Sequence, residues 1–121
     1  MKNTIACPQI AIIRPQGYIN ASNAAEFQGQ LTTAVSSPEN SGLLVDMKQV
    51  EFLDSAGLVT LVAAHSLAQR LNKRFSLCSV STSIWMVFEL TQLDRVFEVF
   101  ENRAAFEVAN SRANIITVIA A

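Results

Sequence analysis

The sequence is poor in charged residues. Only 16% of its 121 residues are Asp, Glu, Lys or Arg, whereas an ordinary globular domain has about 25%. Nine basic and ten acidic residues leave a formal net charge of −1, so the chain lacks the basic stripe that a nucleic-acid binder needs. Half of the residues are hydrophobic, which excludes the composition of a disordered chain. We therefore expect one folded domain without a nucleic-acid partner.

Long hydrophobic runs are also missing. The longest uncharged window in the middle of the chain, residues 55–69, is interrupted by Thr60 and His65 and is shorter than the roughly 18 apolar residues of a membrane-spanning helix. Near the N-terminus, Asn3 and Pro8 interrupt the apolar segment that a signal peptide requires. The sequence therefore predicts no membrane span and a cytoplasmic protein.

Metal ligands and nucleophile motifs are scarce. Cys7 and Cys78 lie far apart without a CxxC pair, and His65 is the only histidine, so we expect reduced thiols, no metal site and no cofactor. Glycine-rich phosphate loops and the GxSxG motif are absent from the sequence. Asp54, Ser55 and His65 cannot form a catalytic triad, because His65 would lie about 15 Å along a helix axis from Ser55. We predict no catalytic residue and no enzymatic activity.

Apolar runs and turn residues predict alternating strands and helices in the N-terminal half. Residues 15–17, Pro-Gln-Gly, predict a turn between two short strands, which are most simply joined as a hairpin. Asn20, Ser22 and Asn23 are candidate N-caps of an amphipathic helix, whose apolar residues recur at spacings of three and four as far as Val35. The predicted segments are strands at 10–13 and 18–19, a helix from Ala24, a loop at 36–42, a buried strand at 43–47 and a connector at 48–51.

The C-terminal half repeats this alternation. The last turns of a long helix carry the basic residues Arg70, Lys73 and Arg74, which would complement the negative pole at its end. Trp85 and Met86 are either peripheral core or an exposed apolar patch. The long helix starts at Ser55 and has the inward-facing stripe Leu58, Leu61, Ala64, Ala68 and Leu71. The later predicted segments are a strand at 75–80, a helix capped by 81–83, a turn at 93–95, a strand at 96–100, a helix capped by Asn102 and an apolar tail at 113–121.

The order of these segments predicts an α/β fold. Strands that alternate with helices imply a small, mixed but mostly parallel sheet, here backed by about four helices. We assign residues 1–112 to a single domain and residues 113–121 to an apolar C-terminal tail. The β-branched residues of this tail could add an edge strand, cover the core or pair with a second chain. The last alternative would produce a homodimer.

The strongest local signal is the segment 52–58, Phe-Leu-Asp-Ser-Ala-Gly-Leu. Its two large apolar residues would bury the approach to the long helix. Asp54 or Ser55 would cap the helix, with Gly57 allowing tight packing of the first turn, and this structural role alone explains the pattern. The same geometry would expose the Ser55 hydroxyl at the helix N-terminus, where the dipole tolerates a phosphate. Phosphorylation would add a charge of about −1.5 to −2 and could block a docking partner.

Three segments together resemble the STAS domain family, specifically the anti-sigma factor antagonists. Residues 54–58, Asp-Ser-Ala-Gly-Leu, preceded by an apolar strand with Asp46, are similar to the signature of that family. Residues 17–20, Gly-Tyr-Ile-Asn, and residues 90–97, Leu-Thr-Gln-Leu-Asp-Arg-Val-Phe, resemble its flanking elements. The resemblance covers roughly residues 10–109 in matching order.

The resemblance implies a small sheet backed by helices and a protein-binding switch. In this family the unphosphorylated antagonist binds an anti-sigma factor, which is itself a serine kinase of the histidine-kinase-like ATPase fold, and so frees the sigma factor. The kinase inactivates the antagonist by phosphorylating the serine that corresponds to Ser55, and a PP2C-type phosphatase restores it. The candidate partner contacts near that helix end are Asn20, Ser22, Asp54, Ala56, Gly57, Leu58 and Thr60.

Two residues depart from the family pattern. Asn20 stands where an aspartate is usual, so hydrogen-bonding capacity is kept but a charge is lost. Gln92 replaces a glycine that would end the third helix in the left-handed conformation, so we expect this helix end to be capped differently. Two other functions stay open. One is a non-phosphorylated scaffold subunit of a lipid-transport or stress-signalling complex, in which Ser55 only caps the helix; the other is an enzyme or small-ligand binder that uses the same loop.

Overall fold

The computed structural model describes residues 9–110 and the backbone of residues 114–118. Its strands are β1 (Gln9–Ile13), β2 (Gly17–Ile19), β3 (Asn40–Asp46), β4 (Val50–Leu53), β5 (Arg74–Cys78), β6 (Glu98–Phe100) and β7 (Asn114–Val118). Its helices are α1 (Ala24–Ser36), α2 (Ser55–Arg70), α3 (Thr82–Leu90) and α4 (Arg103–Ala109), with a short 3-10 helix at Leu93–Arg95. The strands form a five-stranded parallel sheet in the order β6-β5-β3-β1-β7 and a separate two-stranded parallel sheet, β2-β4. The predicted α/β fold with four helices is confirmed.

The two faces of the main sheet carry separate apolar clusters. On one face, strand residues such as Ala11 and Leu43 belong to one cluster with residues of α1, α2 and α3. On the other face, Ile12 clusters with Phe106 of α4. Because β3 is covered on both faces, residues 42–46 are all buried, as the continuous apolar run predicts. α2 therefore lies on the opposite side of the sheet from α4.

The predicted hairpin between the first two strands is wrong. β1 belongs to the main sheet, whereas β2 leaves it and pairs in parallel with β4. Gly17 makes this departure with a φ of 74°, a conformation that glycine adopts at little cost, and its N–H donates to the carbonyl of Gln49 at 2.9 Å. The predicted connector at 48–51 is also wrong in part, because β4 begins at Val50. In the β2-β4 register, Tyr18 lies opposite Phe52 and Ile19 lies opposite Leu53.

Three of the four helices begin with a side-chain cap. The caps are Asp54 for α2, Ser81 for α3 and Asn102 for α4. Asn102 was predicted as the cap of α4, and Asp54 and Ser81 are each one of the candidates predicted for their helices. The capping of α1 by a side chain is wrong, because Asn23 occupies its N-cap position without a side-chain hydrogen bond to the helix. None of the helices among the described residues has the length and apolar character needed to cross a membrane.

The predicted inner stripe of α2 holds except at its last residue. Leu71 is 42% exposed, because α2 ends one residue before it. Trp85 and Met86 of α3 were predicted to be either peripheral core or an exposed apolar patch. Trp85 packs partly buried against the core, whereas Met86 is 55% exposed. The confirmed buried members of the α2 stripe are Leu61, Ala64 and Ala68, with Leu58 half-buried.

Two basic residues after α2 stabilise other elements, so their predicted pairing with the end of α2 is wrong. The Nζ atom of Lys73 donates to the carbonyls of Val35 and Ser37, each at 2.7 Å, and thereby places a cation at the negative pole of α1. Arg74 binds Glu98 through two hydrogen bonds of 2.7 Å between β5 and β6. These hydrogen bonds raise the pKa of Arg74 and lower the pKa of Glu98.

The end of α3 corrects a second expectation. Gln92 adopts φ 62° and ψ 18°, so the chain keeps the left-handed conformation at this position without the glycine. The N–H of Gln92 donates to the carbonyl of Glu89 at 3.2 Å. Glutamine in place of glycine at position 92 therefore changes the side chain, while the backbone keeps the left-handed conformation expected for glycine.

The C-terminal tail adds an edge strand to the main sheet. β7 runs parallel to β1, with Asn114 opposite Gln9 and Val118 opposite Ile13. The first alternative for the tail, an edge strand, is therefore confirmed for these residues. The remainder of the predicted tail and Cys7 lie outside the described residues.

Candidate functional site

The predicted site begins where β2 and β4 end side by side. Asn20 follows β2, and Asp54 follows β4. The N–H of Asp54 donates to the carbonyl of Ile19 at 3.1 Å, which extends the pairing by one residue beyond the strands. Because the two strands are parallel, their carboxyl ends meet at one edge of the small sheet. The structure thereby brings Asn20 next to the residues that start α2.

Asp54 fixes the start of α2. Its backbone is extended, and its Oδ1 atom accepts a hydrogen bond from the N–H of Gly57 at 3.1 Å. Its carbonyl accepts the first intrahelical bond, from the N–H of Leu58 at 2.9 Å. The side chain thus satisfies one of the N–H groups that a helix N-terminus leaves without intrahelical partners. Such a cap contributes about 1 kcal/mol to stability.

Ser55 is the first residue of α2 and is exposed. Its side chain lies at the positive pole of the helix dipole, in the turn where backbone N–H groups are still available. A phosphate on this hydroxyl would project into solvent at the pole that favours negative charge. The position therefore permits modification without moving a core residue.

Gly57 lets α2 approach the small sheet. A Cβ atom at this position would lie 2.6 Å from Cδ1 of Leu53 and 2.9 Å from Cγ2 of Ile19, closer than real Cβ contacts. It would also lie 3.2 Å from the Ile19 carbonyl oxygen, which belongs to a paired strand. Tight packing at Gly57 was predicted from its place in the first turn, and these distances identify the neighbours.

The other residues in the first two turns of α2 include partly exposed and buried positions. Ala56 and Leu58 are half-buried, so part of each side chain faces solvent beside Ser55. Thr60 is only 3% exposed, and its hydroxyl donates to the carbonyl of Ala56 at 2.9 Å. Gly57 and Thr60 are buried and shape the candidate surface from below.

Asn20 and Ser22 form a compact turn before α1. The Oδ1 atom of Asn20 accepts hydrogen bonds from the N–H of Ser22 at 3.0 Å and from its hydroxyl at 2.6 Å. Asn23 closes the turn, since its Oδ1 accepts from the N–H of Asn20 at 2.9 Å and its Nδ2 donates to the carbonyl of Tyr18 at 2.8 Å. Asn20 uses its side-chain oxygen in both contacts with Ser22, and a carboxylate would accept them equally well. The asparagine therefore alters charge and leaves the turn intact.

An exposed aromatic pair beside the site was missed from sequence. Both large residues before Asp54 were expected to be buried, and this is wrong for Phe52, which is 51% exposed, whereas Leu53 is 5% exposed. Tyr18, opposite Phe52 on β2, is 58% exposed. Adjacent residues of a strand point to opposite faces, so Phe52 and Leu53 could be separated only once β4 was known to be a strand.

His65 belongs to an aromatic contact. His65 lies in the middle of α2 with its ring edge-on to Phe75 and Phe97, at centroid distances of 6.0 and 5.7 Å. Burial in this aromatic contact lowers the pKa of His65. In the part of the chain that the structure describes, no three metal-ligating side chains converge.

Comparison with known proteins places these features in a family. The sequence matches the STAS domain model over residues 2–105. BtrV of Bordetella bronchiseptica, which is provisionally named an anti-sigma factor antagonist, is 30% identical over 102 residues, covering 80% of this chain and 86% of BtrV. The family match and this relative together span most of the chain.

Solved structures agree with the fold. A Thermotoga maritima protein, provisionally described as an anti-sigma factor antagonist, superposes with a TM-score of 0.74 at 22% identity over 84% of this chain and 85% of its own. The antagonist SpoIIAA in its unphosphorylated form gives 0.66 at 14% identity, over 91% and 94%. The phosphorylated form of Bacillus SpoIIAA gives 0.64 at 16% identity, over 81% and 88%. This chain belongs to the STAS domain family, and its relatives include proteins named as anti-sigma factor antagonists.

Proposed function

We propose that this chain is an anti-sigma factor antagonist, a protein-binding switch that phosphorylation of Ser55 turns off. The observation that carries the proposal is the exposed serine at the first position of α2, on a helix start held by Asp54 and Gly57. Two comparisons support it: BtrV is named for the same role, and SpoIIAA, which shares the fold, is known in a phosphorylated form.

The proposed cycle has a binding state and a released state. Without phosphate, the chain binds an anti-sigma factor that is also a serine kinase, and the sigma factor is freed in the cytoplasm. The kinase then transfers the γ-phosphoryl group of ATP: a bond forms between Oγ of Ser55 and phosphorus, the bond from phosphorus to ADP breaks, and the hydroxyl proton passes to a base of the kinase. A PP2C-type phosphatase hydrolyses the phosphoserine. This chain supplies the acceptor hydroxyl and no catalytic group.

The charge of the phosphate provides the off state. The chain has a formal net charge of −1, and a phosphate of about −2 would roughly triple it. The new charge would lie next to the Asp54 carboxylate and beside the partly exposed apolar side chains of Ala56 and Leu58. A partner that fits this surface would have to desolvate the phosphate, which costs free energy. Any negative charge of the partner at this place would also be repelled. The fold itself should persist, because the helix dipole favours negative charge at this end.

We assign the candidate partner contacts two roles. The exposed or half-buried residues Asn20, Ser22, Asp54, Ala56 and Leu58 would touch the partner directly. Buried Gly57 and Thr60 would hold that surface in shape. Since Asn20 keeps the local hydrogen bonds but lacks a carboxylate, it would affect which kinase binds through charge alone.

Phosphorylation in vitro tests the acceptor. The purified chain is incubated with ATP and a serine kinase of the histidine-kinase-like ATPase fold from the same genome, and the sites are read by peptide mass spectrometry. We expect one phosphate on Ser55, its loss in Ser55→Ala, and its retention in Ser66→Ala, which removes another exposed serine of α2. Phosphate at a different residue, or none, would contradict the assignment.

A charge mimic tests the switch separately. Ser55→Asp should weaken binding to the unmodified kinase at least tenfold, because a carboxylate reproduces part of the phosphate charge, while its thermal unfolding midpoint stays close to that of the wild type. Ser66→Asp serves as the control for added charge on α2. Equal affinity of Ser55→Asp and wild type would argue for the scaffold role, in which Ser55 is only part of the helix start.

A further inference from the structure

The outer face of the β2-β4 sheet carries an aromatic pair that the phosphorylation site itself does not use. Tyr18 is 58% exposed and Phe52 is 51% exposed. The two residues are opposite each other in the strand register, and their ring centroids lie 6.3 Å apart. The next residues along the strands, Ile19 and Leu53, are buried. The small sheet therefore packs one row of side chains into the protein and displays two rings on the other side.

The fold does not require aromatic residues at these two positions. Packing beneath the sheet is provided by Ile19 and Leu53, the two residues that crowd Gly57 of α2. Outward positions of a half-buried sheet are ordinarily polar, and a cross-strand ring contact is a modest stabilising term. Exposed aromatic rings are instead typical anchors of protein interfaces, since they bury a large area with little loss of conformational freedom.

The backbone positions of the pair lie close to Ser55. Phe52 precedes Ser55 by three residues, so their Cα atoms are at most about 11 Å apart. Tyr18 is one strand further, about 5 Å across the small sheet. A stable interface covers about 800 Å² on each partner, and a circular patch of that area has a radius of roughly 16 Å. A patch of that radius centred on Ser55 reaches the backbone positions of both residues, so one partner can span Ser55 and the two rings.

We propose that Tyr18 and Phe52 form the apolar anchor on which the Ser55 kinase docks. This inference rests on the proposed function and adds a second contact region to it: an apolar patch on the kinase covers the two rings while the start of α2 presents the hydroxyl. The β2-β4 pairing connects the two regions, because both strands lead directly into the loops that carry Asn20 and Asp54. Docking and modification are thus separate parts of one surface.

Steady-state phosphorylation kinetics distinguish an anchor from a structural pair. Tyr18→Thr and Phe52→Thr remove the rings and keep strand propensity. The control is Val108→Thr on α4, where Val108 is 79% exposed on the opposite face of the main sheet. With the kinase that phosphorylates wild-type Ser55, we expect KM for each ring variant to rise tenfold or more, kcat to stay within about twofold, and the control to match the wild type.

Thermal unfolding of every variant shows whether it is folded at the assay temperature. A second pair, Tyr18→Lys and Phe52→Lys, repeats the measurement, so that a folding defect in one pair does not decide the outcome. Unchanged KM in folded variants, or a fall in kcat alone, overturns the docking role and leaves the proposed function standing. If the wild type is not phosphorylated at Ser55 by any such kinase of its genome, the proposed function fails and the docking role fails with it.

Discussion

Gly57 shows how a single hydrogen atom in place of a side chain positions the site. An alanine at this position would place its Cβ atom 2.6 Å from Leu53 and 2.9 Å from Ile19. Overpacking of this kind costs about 1–3 kcal/mol, whereas alanine regains about 1 kcal/mol of helix propensity. We expect Gly57→Ala to lower the free energy of unfolding in urea by about 1 kcal/mol on balance, and to shift the start of α2.

Gly29 provides the matched control for this prediction. It lies inside α1, is exposed, and a Cβ atom there would have no neighbour within 4 Å. The propensity gain then acts alone, so Gly29→Ala should raise the free energy of unfolding by up to about 1 kcal/mol. If both alanine variants were stabilising, the close approach of α2 to the small sheet would not be the reason for glycine at position 57.

Gln92 carries a backbone strain at the end of α3. Its φ of 62° lies in the left-handed region, which costs a residue with a Cβ about 1–2 kcal/mol. Glycine would remove that cost but would enlarge the entropy of the unfolded chain by about 0.4–1 kcal/mol. We expect Gln92→Gly to stabilise the protein by about 0.5–1 kcal/mol, measured by urea unfolding.

A glycine inside the same helix separates strain relief from a general effect of glycine. Glu89 is exposed near the end of α3, and Glu89→Gly should destabilise by roughly 0.5–1 kcal/mol. If the free energy of unfolding rises in Gln92→Gly and falls in Glu89→Gly, the backbone of Gln92 is strained. Destabilisation by both would indicate that the glutamine side chain makes a compensating contribution.

At the scale of elements, local signals were predictable and distant pairings were not. The caps at Asp54, Ser81 and Asn102 and the buried strand β3 follow from short-range patterns that the structure confirms. β4 was missed because its four residues include only two buried positions and no strict alternation. Without β4, the partner of β2 could only be the preceding strand, so a hairpin was predicted. The exposure of Phe52 depends on the same missing strand and could not be derived either.

At the scale of the whole molecule, the few ionised groups act on stability in separate pH ranges. Burial raises the pKa of the Cys78 thiol to about 11. The contribution of Cys78 to folding stability is therefore present at pH values below the ordinary thiol pKa, and it is lost as pH rises through the folded-state pKa. Hydrogen bonds from Arg74 lower the pKa of Glu98. The contribution of Glu98 to folding stability is therefore present at pH values above the ordinary carboxyl pKa, and it is lost as pH falls through the folded-state pKa. Between these ranges, His65 is the side chain expected to titrate, because it is the only histidine.

His65 should therefore control stability between pH 7.5 and pH 5.5, a range chosen around its ordinary pKa of about 6.5. Burial against the rings of Phe75 and Phe97 lowers its pKa, so the unfolded chain binds a proton more readily than the folded one and stability must fall as pH decreases below that value. His65→Phe keeps a ring in contact with both neighbours and removes the titrating group. We expect the free energy of unfolding in urea to decline over this range for the wild type and for Glu98→Gln, and to stay nearly level for His65→Phe. Parallel declines in all three proteins would show that another group is responsible.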